Sequence, residues 1–103
     1  MTETTGSPQQ IPVVVDNPEA SQFETHVDGH VALVAYIKHG DTIIFTHTEV
    51  PKELQGRGLA NVLAHAVLER AKLEGWRVVA RCPFIASYVK RHPEYEPLLT
   101  GGR

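Results

Sequence analysis

The chain has 103 residues, the size of one domain built around one core. Ten Lys and Arg against twelve Asp and Glu leave a formal net charge of −2, which argues against a general nucleic-acid binder. The single cysteine, Cys82, excludes an intrachain disulfide and weighs against a cysteine-built zinc centre, and no metal is expected.

Met1 to Gln10 is polar and rich in turn formers, without the basic tip and apolar run of a secretory leader. It reads as a disordered tail ahead of one domain over residues 11–99. No apolar run approaches the roughly 18 residues that would cross a bilayer, so a cytoplasmic chain with no membrane partner is expected.

The β-branched run Val13-Val14-Val15 predicts a first strand over Ile11 to Asp16, stopped by Asn17-Pro18. Ser21 to Val27 alternates, with Phe23, Thr25 and Val27 on one side and Glu24 and His26 on the other. Asp28-Gly29 signals a tight hairpin. The apolar strand His30 to Lys38 follows, then the turn His39-Gly40-Asp41 and a third meander strand, Thr42 to Val50. Strict alternation puts Ile43, Phe45, His47 and Glu49 on one face of that strand and Ile44, Thr46, Thr48 and Val50 on the other. Pro51 ends it. From Gly58 to Glu74 the period changes. Leu59, Val62, Leu63, Ala66, Val67 and Ala71 form a helical stripe flanked by Leu68 and Leu73, with Gly75 as the αL cap. Trp76 to Arg81 reads as a strand, and Pro83 opens a second helix that ends at His92-Pro93. The expected fold is α+β: an antiparallel β-meander, a β-α-β unit with parallel strands and a right-handed crossover, and a C-terminal helix.

Between strand and helix, Gly56 and Gly58 allow positive φ and close approach to the backbone. The first helical turn offers free N–H groups and the positive end of a dipole, which suits phosphate, and Lys52 and Arg57 add local positive charge. The loop is neither a P-loop nor a dinucleotide fingerprint. A plain tight turn explains the glycine pair equally well at this point.

Gln55-Gly56-Arg57-Gly58-Leu59-Ala60 resembles the Gln/Arg-x-x-Gly-x-Gly/Ala signature of the GNAT acetyltransferases. His47-Thr48-Glu49-Val50-Pro51, Cys82-Pro83-Phe84, Tyr88 and His92-Pro93-Glu94-Tyr95 extend the likeness to the small GNAT-like, YjdJ-type N-acetyltransferase domains, over about Phe23 to Tyr95. The resemblance implies a reduced GNAT fold and acetyl-CoA as acyl donor. Coenzyme A would bind through Val50, Gln55, Gly56, Arg57, Gly58, Leu59 and Ala60, its pantetheine pairing with the backbone of Glu49 and Val50 like an added strand. The acceptor implied is an unknown amine. The chain lacks the helix pair and last strands that build much of the acceptor site in larger GNATs.

Four residues are candidates for the chemistry. Cys82, at a strand end and a helix N-terminus beside Arg81, is an acetyl-accepting nucleophile, a residue lining the thioester pocket, or a small apolar filler. His47 and Glu49 share a face and could take the amine proton, against a reading as ordinary sheet side chains. Tyr88 is either the group that protonates the leaving thiolate, as the resemblance implies, or a packed aromatic. A CoA-binding or interaction module without turnover is the alternative function. The composition leaves oligomeric state open.

Overall fold

The computed structural model describes residues 12–99. The expected tail, Met1 to Gln10, lies outside them. Within them run β1 (Val14–Asn17), β2 (Gln22–Val27), β3 (His30–His39), β4 (Thr42–Glu49), α1 (Leu59–Glu74), β5 (Arg77–Ala80) and α2 (Pro83–Arg91). The strands form one sheet in the order β1-β2-β3-β4-β5, antiparallel up to β4 and parallel between β4 and β5. Asp28 and Gly29 both take positive φ, 53° and 80°, as a two-residue hairpin turn with this twist requires. Gly75 closes α1 at φ 74°, its N–H reaching the carbonyls of Ala71 and Lys72. Pro83 begins α2, where its missing N–H has no partner to lose.

Both helices contribute to one apolar core on one face of the sheet. Phe23, Ala32, Val34, Ile43, Phe45 and Val78 meet Leu59, Leu63, Ala64, Val67, Leu68 and Ala71 of α1, with Ile85 and Val89 of α2 in the same cluster. The buried stripe of α1 is rotated from the one expected: Ala64 and Leu68 are fully buried, Val62 and Ala66 face shallow grooves, and Leu73 is 82% exposed. The stripe turns because α2 and the following segment cover the flank that holds Leu68. Tyr95 of the 3₁₀ turn Pro93–Leu98 donates to Glu69 Oε2 at 2.6 Å, tying that segment to α1. Leu99 then makes a parallel bridge with Val78. No helix among the described residues is long and apolar enough to cross a membrane, which says nothing of a β-barrel.

The strict alternation expected along β4 does not hold. Tyr36 pairs with Phe45, yet Ala35 pairs with His47, so Thr46 is one extra residue on β4. This bulge inverts the strand's two faces. Thr48, opposite buried Val34, turns to the helix side with Ile43 and Phe45, while His47 and Glu49 turn to the other side.

Candidate active site

The bulge falls where β4 loses its parallel partner. Pairing with β5 runs from Thr42 with Arg77 to Phe45 with Ala80 and stops. The Phe45 carbonyl accepts from the N–H groups of both Arg81 and Cys82, at 3.1 and 2.8 Å, which turns the chain away into α2. The β4 edge beyond Thr46 has no strand partner among the described residues, and a cleft of about 660 Å³ opens beside it. Thr48 lines this cleft from the helix face of β4 and Glu49 from the opposite face, so the cleft reaches across the strand's edge. Val50, Gln55 and Ala60 line it along the glycine loop and the start of α1, and Phe84 lines it from α2.

Gly56 and Gly58 have φ of 85° and 73°, and a Cβ built on either would meet nothing within 4 Å. Gly58 is the N-cap of α1, with no side-chain cap and no acidic residue in the first turn. The leading N–H groups of α1 are therefore left for an external acceptor. Leu59 and Leu54 are buried and anchor the loop from below. Gln55 Nε2 donates to the Val50 carbonyl at 3.2 Å and folds the loop back on the end of β4. Arg57 pairs with Asp28 at 2.8 Å, bracing the loop on the β2–β3 hairpin. Both partners are largely exposed, and such a pair contributes about 0–1 kcal/mol.

The candidate catalytic residues separate into three places. His47 and Glu49 are together, Nε2 to Oε2 at 3.0 Å, on the helix-free face with Glu49 in the cleft wall. Cys82 is 2% exposed and stands behind the wall, its Sγ 3.2 Å from Thr48 Oγ1. Tyr88 is buried in α2 and stacks on His92 with ring centroids 4.0 Å apart. Burial first, then the nearby Glu94 carboxylate, pushes its phenol pKa up. Phe84, one helical turn earlier, takes the place at the cleft. Thr48 is the site residue that strict alternation misses, because a bulge moves it to the helix side. Among the described residues no three His, Cys, Asp or Glu side chains converge as metal ligands would.

The model of the GCN5-related N-acetyltransferases matches residues 22–98, which takes in the sheet from β2 onward, the glycine loop and both helices. The chain belongs to that family. Protein NATD1 of Bos taurus is 34% identical over 93 residues, covering 85% of this chain and 82% of that protein. Its human counterpart is 36% identical over 75 residues, covering 70% and 66%. In fold, the chain matches a GCN5-like protein from Staphylococcus aureus, solved in solution by NMR, whose N-acetyltransferase activity is a proposed one. The TM-score is 0.66, with 23% identity, over 88% of this chain and 90% of that one. The small α+β GNAT-like fold expected from the sequence is thus the fold found.

Proposed function

We propose that this member of the family is an N-acetyltransferase that takes acetyl-CoA in the β4–β5 cleft and passes the acetyl group to an amine. The observation that carries the reading is the continuity of one cleft. It joins the unpaired edge of β4, at Thr48 to Val50, to the uncapped start of α1 at Ala60. A phosphate at one end and an extended thioester arm at the other match these two features in order. When bound, acetyl-CoA supplies an activated acetyl thioester.

The chain's own groups then have separable tasks. The N–H groups at Gly58 to Asn61 receive pyrophosphate oxygens, with Arg57 released from Asp28 to join them. Main-chain groups of Glu49 and Val50 hold the arm as a neighbouring strand would. Unpaired β4 amides donate to the carbonyl oxygen as charge develops on it. Glu49, with His47 hydrogen-bonded to it, takes the proton the amine loses as its nitrogen bonds to the acetyl carbon. Thr48 Oγ1, on the cleft wall with Cys82 Sγ behind it, hydrogen-bonds the departing sulfur. Cys82 keeps Thr48 oriented in this direct transfer. Tyr88 fixes α2 by its stack on His92 and so places Phe84.

Thiol release from acetyl-CoA against a panel of primary amines, run beside calorimetric titration with CoA, tests the reading. Micromolar-range CoA binding with amine-dependent thiol release is expected. CoA binding without release on any amine leaves a CoA-binding module, and absence of both overturns the proposal.

A further inference from the structure

The sheet face turned away from α1 and α2 carries no described helix, and its side chains follow from the strand register. Glu49 pairs with Leu33, and Leu33 with Glu24; His47 pairs with Ala35, Ala35 with Gln22, and Gln22 with Asn17. Two adjacent rows thus cross this face from the cleft toward β1. Leu33 and Ala35 form an apolar floor. Glu49 and His47 stand on one side of it, and Glu24, Gln22 and Asn17 on the other.

Glu24 is 8% exposed, an unusual place for a carboxylate on an open sheet. Gln22 Nε2 donates to it at 2.6 Å, Asn17 Nδ2 at 2.8 Å, and the His26 ring lies 2.9 Å away. Gln22, then Asn17, then His26 hold the carboxyl far down, near a pKa of about 2. An ionised carboxylate offers about four acceptor positions, and three are taken. No Lys or Arg pairs with it among the described residues, and His26, its ion-pair partner, offsets the charge only when the ring is protonated. Arg77 lies on β5 and Arg81 just past its end, beyond β4 from Glu24. A fixed negative charge therefore stands two strand spacings, about 10 Å, from Glu49 on the face to which the cleft opens.

We propose that this face seats the acceptor and that the acceptor is a diamine, dicationic in free solution: one nitrogen lies at Glu49 beside the thioester and gives a proton to solvent before it attacks, and the second stays as ammonium against Glu24. The intervening methylenes lie on Leu33 and Ala35. The inference rests on the acetyltransferase reading above and adds the substrate class. Charge complementarity selects the cation, and the separation of the two carboxylates selects an extended chain of roughly eight methylenes.

The probes are octane-1,8-diamine and octylamine, each assayed with acetyl-CoA, and each titrated by NMR against the side-chain amide signals of Asn17 and Gln22. The diamine is expected to exceed octylamine in kcat/KM at least about tenfold, and to shift both amides where octylamine does not. In Glu24→Gln that ratio falls toward one. Leu33→Lys, which puts a cation on the floor, lowers it likewise should Glu24→Gln not fold. CoA titration on the same samples separates the two levels. Loss of CoA binding in the native chain refutes the acetyltransferase reading itself. CoA binding with equal use of both amines, or with Asn17 and Gln22 unmoved by the diamine, overturns the acceptor inference alone. If neither amine is acetylated, the amide shifts decide it in the same sense.

Discussion

Ala60 sits in the first turn of α1 and in the wall of the cleft, where a single charge separates stability from binding. An aspartate there suits the helix dipole and leaves the fold as stable as before or slightly more so. The same charge meets the pyrophosphate. Ala60→Asp is therefore expected to keep its melting temperature while CoA affinity drops at least about tenfold; unchanged affinity in calorimetry would remove the phosphate from this turn. A bulky substitution at Gly58 is a poorer probe, because φ of 73° strains a β-branched residue with or without ligand. Cys82 gives a second test at this scale. With Sγ behind Thr48 and out of the cleft wall, Cys82→Ala is expected to retain most of the transfer rate. Intact mass of the native chain after incubation with acetyl-CoA should then show no added acetyl group. An adduct, with turnover abolished in the variant and CoA affinity kept, would make Cys82 the nucleophile. The place of Cys82 behind Thr48 could not be read from its neighbours in the sequence, since Thr48 lies 34 positions away and reaches it only through the bulge.

At the scale of elements, Leu68 and Leu73 look alike in the sequence, both flanking the stripe of α1, and the fold separates them. Leu68 is fully buried and Leu73 is 82% exposed. Leu68→Ala is expected to cost about 2–5 kcal/mol and Leu73→Ala no more than about 0.5 kcal/mol in urea unfolding; similar losses would place the helix at a different rotation. The helix itself was legible because its ends carry Gly58 and Gly75 and its interior the 3.6 period. Its rotation was not, because that depends on where α2 and Tyr95 pack. β4 divides in the same way. Its β-branched residues and Pro51 mark its length, and Gly40 marks the hairpin that precedes it. Thr46 leaves no trace of being an extra residue, since threonine suits any strand position. Two-residue periodicity therefore carries His47, Thr48 and Glu49 to the wrong faces. Tyr88 shows the same limit on α2, where the helical period puts Phe84, Tyr88 and His92 in line, but docking decides that Phe84 meets the cleft.

Across the whole molecule, the sheet has one face filled by helices and one face that no described helix covers, where Glu24 makes the fold pH-sensitive. Its carboxyl sits at about 2 in the fold against an ordinary 4.5, so the folded chain binds this proton more weakly than the unfolded chain. The stabilisation is complete above about pH 4.5 and is lost as pH falls toward 2. Glu69, lowered chiefly by the Tyr95 hydroxyl, acts in the same direction. Melting temperature should fall through this window, and less steeply in Glu24→Gln; parallel curves would mean that Glu24 is not held as described. Family and fold class were readable from local patterns in the chain, and so was the place of the glycine loop at the start of α1. The row that joins Glu49 to Glu24 was not, because it exists only in the register of three strands. A titration with CoA followed by backbone amide NMR tests whether CoA lies between the free edge of β4 and the start of α1. Perturbations are expected to concentrate on Glu49, Val50 and Gly56 to Asn61, along the unpaired edge of β4 and the start of α1. Shifts confined to the groove between β1 and α1, around Val14 and Ala66, or no shifts at all, would rule out this seat for CoA.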